Sequence, residues 1–174
     1  MRDADIIDSL RTKLAVPTGR HLYGVLGSYR ALRSFTQNLQ QASDVDGQPF
    51  PAPLSVTRGI LESIPDPEFK QLASDEAKRP EPVAKHVSRA FELFLRESLH
   101  QRRLLVLSDL ELLFAYNVEL NPLRTLATDE HRLLLLLPGK RERGGIVMFP
   151  ELGHGRYGLP SNLIAEDHLW QLDG

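Results

Sequence analysis

The sequence predicts an α/β fold: a single domain with a mostly parallel sheet flanked by helices. Two continuous apolar runs, Leu104–Leu107 and His131–Leu137 with its five consecutive leucines, have strand length and lack in-out alternation. That is the pattern of strands covered on both faces. A helical stretch between them completes a βαβ unit, whose crossover is expected to be right-handed. Ahead of both, Val83, Val87, Ala90, Phe91, Phe94, Leu95 and Leu99 recur at three- and four-residue spacing, which predicts a helix over Pro82–His100.

At 174 residues the chain has the length of one domain with a substantial core. A net charge of −2 gives no global basic field for nucleic acid, so any such role would rest on local patches. The absence of cysteine excludes a disulfide scaffold and a thiolate metal site, and it suits a reducing compartment. The amino terminus is too polar for a signal peptide, and no apolar run approaches membrane-spanning length. A cytoplasmic domain without a membrane partner is therefore expected.

The elements follow in order. Asp5–Leu14 places Ile6, Ile7, Leu10 and Leu14 on one helical face, with Asp3, Asp5 and Asp8 near the positive end of the dipole, and Pro17 and Gly19 end it. Leu22 and Tyr23 read as a short strand, Gly24–Ser28 as a tight loop, and Tyr29–Gln41 as a helix with Leu32, Phe35 and Leu39 inward. Ser43–Pro53 is a polar connection, Leu54–Thr57 a second strand and Arg58–Ile64 a short helix. The proline- and charge-rich stretch near 65–82 reads as a surface insertion. Asn121-Pro122 signals a helix start within Ala115–Thr128, with Leu123 and Leu126 inward. Pro138-Gly139 is expected to close the second apolar strand. Gly145–Phe149 and Asn162–Ala165 read as further strands, and Trp170 as cover for the core. His86 and His100 have no partner at metal-ligand spacing and read as surface or packing residues.

Chemistry-bearing residues gather where such sheets bind ligands, at the carboxyl ends of strands. Ser108 and Asp109 follow the first apolar run, with Glu111 beyond them; the structural alternative is that Asp109 caps a short helix, Leu110–Phe114. Gly24–Ser28 followed by a helix is a layout in which loop amides and a helix amino terminus can hold a phosphate. Laid from Gly24, the pattern G-x-x-x-x-G-K-[ST] finds Gly27 and Ser28 in keeping, but its last three positions fall on Tyr29, Arg30 and Ala31. Tyr29 brings a side chain where backbone must approach phosphate, Arg30 keeps charge without lysine's reach, and Ala31 lacks the hydroxyl for Mg²⁺. An ordinary strand-to-helix turn is the alternative. Lys140, Arg141 and Arg143 form a basic loop on the same rim, suited to phosphate or an acidic partner, or else a solvated turn. Pro150–Tyr157 combines His154, Arg156 and Tyr157 with two glycines, a mixture able to bind an anion or stack on a base, or else a structured turn.

Over Val106–Phe114, Leu120–Leu126, Leu137–Gly139, Gly144-Gly145 and Pro150–Tyr157 the chain resembles the small P-loop component, BrxF-like, of BREX phage-defence systems. Its amino-terminal half is similar in layout, with little identity beyond Gly24, Gly27 and Ser28. The resemblance implies a P-loop-NTPase-like domain of nucleotide-binding ancestry within a multi-protein anti-phage assembly, and by itself it implies nothing about hydrolysis. Where the family has an apolar strand ending in aspartate, this chain has Ser108, with Asp109 one residue later. A hydroxyl is a poor substitute for a carboxylate at Mg²⁺, and a one-residue shift along a strand turns a side chain to the other face.

With both halves of the phosphate and metal machinery altered, the leading expectation is a non-catalytic pseudo-ATPase subunit acting through protein–protein contacts, with no cofactor and no metal. Gly24, Gly27, Ser28, Arg30, Ser108, Asp109 and Glu111 are then remnants of a nucleotide site, and Lys140, Arg141 and Arg143 a docking surface. One alternative is an ATPase in which Arg30 replaces the lysine, Asp109 holds Mg²⁺ and Glu111 positions the attacking water. Another is a DNA-binding module using Arg102, Arg103, Lys140, Arg141, Arg143 and Arg156 on phosphates. Self-association is left open.

Overall fold

The computed structural model describes residues 1–65, 67, 70, 71, 74, 80–153 and 156–174. The helices are α1 (Asp3–Leu14), α2 (Tyr29–Gln41), α3 (Val56–Ser63), α4 (Pro80–Gln101), α5 (Glu111–Ala115) and α6 (Asn121–Leu126). The strands are β1 (Leu22–Gly27), β2 (Leu54–Ser55), β3 (Leu104–Ser108), β4 (Arg132–Glu142), β5 (Gly145–Met148), β6 (Tyr157–Leu159) and β7 (Leu169–Gln171). Five strands run parallel in the order β2-β3-β4-β1-β7, and β4 continues into an antiparallel extension with β5 and β6. The expected mostly parallel α/β sheet is therefore present. Among the described residues no helix is long and apolar enough to cross a membrane.

The leucine run explains why β4 lies in the middle. Leu133, Leu135 and Leu137 enter one apolar cluster with α3, α4, α5 and α6, while Leu134 and Leu136 enter a second with α1 and α2. A strand with both faces covered has no position left for a polar side chain, which is why alternation vanished from the sequence. β3 repeats the division, with Leu105 and Leu107 on one face and Val106 on the other. Helix periodicity was equally informative. Ile6, Ile7, Leu10 and Leu14 are the buried residues of α1, and Leu32, Phe35 and Leu39 those of α2. Each such side chain contributes on the order of 1.5–3 kcal/mol relative to exposure.

Several expectations change. The Gly24–Ser28 loop does not form, because β1 continues through Gly27 and is buried along its whole length. Gly24 is a packing glycine: a Cβ there would stand 2.8 Å from Leu137 and Ile164 and 2.9 Å from Leu169. Gly59 serves α3 in the same way, since its Cβ would come within 2.3 Å of the Phe94 ring on α4. Pro138-Gly139 does not close β4, which runs on to Glu142 and turns through Arg143-Gly144 into β5. Asn162–Ala165 is a turn that buries Leu163 and Ile164, and the final strand is β7, whose Trp170 stacks on Tyr23 with ring centroids 6.0 Å apart. The insertion expected near 65–82 falls largely outside the described residues, and Pro80 and Pro82 belong to the first turn of α4, where proline is tolerated.

At the amino ends of the strands a polar group is enclosed rather than displayed. His21 is 2% exposed, and its Nδ1 lies 2.6 Å from the Tyr23 hydroxyl. Burial, reinforced by the Arg132 charge, holds His21 below its ordinary pKa of 6.5. The sign of the consequence is fixed by linkage. Above pH 6.5 the imidazole is neutral in both states; below it the unfolded chain takes up a proton that the folded chain refuses, so stability falls until folded His21 itself titrates. Melting temperature should therefore drop between about pH 7 and about pH 5, and His21→Gln should flatten that drop while lowering stability at neutral pH. An unchanged slope in the variant would assign the drop to other groups. Independently, Gly24→Ala should cost about 1–3 kcal/mol in denaturant unfolding, because three core side-chain tips must move.

Candidate functional site

The carboxyl end of the parallel sheet brings together the start of α2, the tip of β3 and a short 3-10 turn, Pro150–Leu152. β1 passes into α2 with only Ser28 between them, in extended conformation as the helix N-cap. Its Oγ accepts from the Ala31 amide at 3.1 Å, which satisfies one of the free amides of the first turn. The Tyr29 amide donates to the Glu151 carboxylate at 3.0 Å. A carboxylate at that end also meets the positive pole of the helix dipole. The position that an exogenous anion would take is thus held by the chain's own Glu151.

The placement of Glu151 has a local cause. Phe149 adopts φ 54°, its amide donates to the Pro138 carbonyl, and its buried ring meets Phe114 edge to face at 5.1 Å. Tyr157 packs on both rings, with centroids 6.2 Å away. These contacts turn the chain sharply after β5 and seat the 3-10 turn over the start of α2.

Across the same rim, the Tyr29 hydroxyl donates to Glu111 Oε1 at 2.7 Å. Burial first, and the Glu111 carboxylate second, push the Tyr29 phenol above its ordinary pKa, so it remains a donor at physiological pH. Between these groups lies Asp109, a non-glycine residue at φ 54°, a conformation that costs on the order of 1 kcal/mol or more unless its surroundings impose it. Its carbonyl accepts from both the amide and the hydroxyl of Thr57, at 3.2 and 2.9 Å, which pins the tip of β3 to the start of α3.

This geometry corrects two expectations. Asp109 is not the N-cap of a helix: α5 begins at Glu111, and its N-cap residue is Leu110, whose side chain makes no capping bond. Nor does pleat alternation decide where Asp109 lies, because β3 ends at Ser108 and the left-handed residue follows it. Asp109 and Glu111 both line an open cleft of about 720 Å³ on the α3 side and a narrower one on the α2 side. Ser108 is half-buried, and among the described residues its hydroxyl reaches only the Leu54 carbonyl, at 3.4 Å.

The other candidates are placed elsewhere. Arg30 is exposed and bonds to no described residue through its guanidinium. Lys140 and Arg141 lie in β4 rather than in a loop, and they are engaged: Lys140 with Glu142 at 3.1 Å, Arg141 with Glu166 at 2.6 Å. Arg141 also donates to the Leu169 carbonyl, and Arg156 pairs with Glu142 at 3.2 Å. Arg143 sits at the hairpin turn, and His154 lies outside the described residues. Among the described residues no three His, Cys, Asp or Glu side chains converge as a metal site. The residues present do not fit a Mg²⁺-bound triphosphate either. No phosphate loop separates β1 from α2, Glu151 holds the helix amino terminus, and Tyr29 spans the gap to Glu111.

Sequence reasoning named Tyr29 and Glu111 without pairing them, and it missed Glu151 and Thr57. Glu151 is 122 residues from its partner, so no local pattern could have shown the contact. No protein-family model, curated protein or solved structure matches the chain.

Tyr29→Phe should destabilise the protein by about 1 kcal/mol, since it removes the donor to a half-buried carboxylate. Glu111→Gln should cost less, because an amide oxygen still accepts. Chemical denaturation of both variants checks the contact, and zero cost for Tyr29→Phe would mean that solvent replaces it without loss.

Proposed function

We propose that this chain is a non-catalytic, P-loop-like subunit of an anti-phage defence assembly, acting through contacts with other protein subunits. The observation that carries the reading is the self-occupied rim: Glu151 on the α2 amino terminus and Tyr29 bonded to Glu111. In a catalytic P-loop domain those positions belong to phosphate oxygens and the groups that organise them. The strand order supports the ancestry. β4 stands between the strand that leads into α2 and the strand tipped by Ser108 and Asp109, with a further parallel strand, β7, beyond β1. That is the arrangement expected of a compact P-loop ATPase core. The membership in a defence assembly rests on the BrxF-like resemblance alone.

Phosphoryl transfer is catalysed almost wholly by positioning and charge stabilisation, so altering the loop, the lysine position and the metal aspartate together removes most of it.

The test is hydrolysis. Purified protein should release no phosphate from ATP with Mg²⁺ above the level of Arg30→Ala and Asp109→Ala. Turnover abolished by either substitution would replace this reading with an active ATPase of unusual motif.

A further inference from the structure

We propose that the crevice between α2 and the tips of β3 and β4 binds a small zwitterion of the amino-acid class, its ammonium toward Asp109 and Glu111 and its carboxylate toward Arg33. The crevice is open to solvent on one side and has a volume of about 310 Å³, at the lower end of the range for small-ligand sites. Its apolar lining comes from Leu32 and Leu136, each 5% exposed, with Pro53 and Pro138 beside them.

Charge decides the ligand class. On one wall Arg33, Thr36 and Gln37 share a helical face by their three- and four-residue spacing. On the other stand Ser108, Asp109 and Glu111. Arg33 and Asp109, both exposed to solvent at the mouth of the space, line it, and no ion pair joins them or links either side chain to another described residue. Glu111 is bonded there to the neutral Tyr29 phenol. Cation and carboxylates thus face one cavity without neutralising each other. A phosphate would meet Arg33 but also two carboxylates, and a simple amine would satisfy the carboxylates but bring a second cation toward Arg33. A molecule bearing both charges on an apolar body meets both walls and the floor at once. This site does not depend on descent from an ATPase, so the hydrolysis result leaves it untouched.

L-Phenylalanine, phenethylamine and 3-phenylpropanoate share one apolar body and differ only in which charge they carry, so calorimetric titration of the full chain with the three separates the walls. L-Leucine provides a smaller zwitterion. At least one zwitterion should bind, and phenethylamine and 3-phenylpropanoate should each bind at least about tenfold more weakly than L-phenylalanine where that is the ligand. Arg33→Gln should erase the advantage over the amine. Asp109→Asn, which keeps a residue tolerant of positive φ, should erase much of the advantage over the acid, and Glu111→Gln provides a second route should Asp109→Asn fail to fold. Leu136→Phe should fill the crevice and abolish binding. Equal affinity for charged and charge-deleted probes, no heat from either zwitterion up to about 10 mM, or binding indifferent to Leu136→Phe would overturn the proposal. So would a response to ATP in place of the zwitterions that Arg33→Gln removes.

Discussion

The pairing of β4 between β1 and β3 is the constraint on which the rest of the molecule depends. Register sets Leu133 beside Leu22 on one side and Leu105 on the other, and it continues along the strand to Pro138 beside Gly27. Because the side-chain period is two, a slip of one residue would exchange the faces of all five leucines. Both faces are apolar, so such a slip would not expose a charge. It would instead carry Arg132 into the buried position of Leu133, or Lys140 into that of Gly139, and shape opposes it as well. Gly24 leaves room for the Leu137, Ile164 and Leu169 tips at one position on β1, and no neighbouring residue could supply that room.

The same register fixes the rim. Parallel strands end on one side of the sheet, so β1, β3 and β4 deliver Ser28, Ser108 and Pro138 to a shared edge. Helix α2 must begin there because β1 stops there, and Tyr29 is its first residue. The Tyr29–Glu111 contact follows from two strand ends, one helix start and the left-handed turn at Asp109, which lets α5 begin beside the rim. The polar contact is a consequence of the apolar core.

What the sequence revealed and concealed divides along the same line. The helix faces of α1, α2 and α4 and the two leucine-rich strands were legible because burial writes periodicity, or its absence, into neighbouring residues. The second part of β1, Gly24–Gly27, was misread as a loop because two glycines normally punctuate a strand; here they sit within one, where close packing requires them. β7 escaped because three residues are too few to show a pattern, and the continuation of β4 was hidden by Pro138-Gly139. Tyr29 and Glu111 were named but not paired, and Glu151 was missed, because their contacts span 82 and 122 positions and only the folded register creates them.

The two ends of the sheet handle polarity differently. At the amino end, His21 bonds to Tyr23, His168 bonds to the Leu22 carbonyl, and their rings pack with Trp170 into the sheet edge. Those groups partly serve one another, although among the described residues the buried His21 Nε2 finds no hydrogen-bond partner. At the carboxyl end, Glu151 and Tyr29 quench the helix start, but Arg33 and Asp109 retain hydrogen-bonding capacity toward open space. Desolvating them against an apolar surface would be costly, whereas a partner that returns a charge to each would recover that cost. On the proposed reading, a ligand at the sheet's carboxyl end is polar in a complementary sense and enters beside α2, since Glu151 already holds the helix amino terminus.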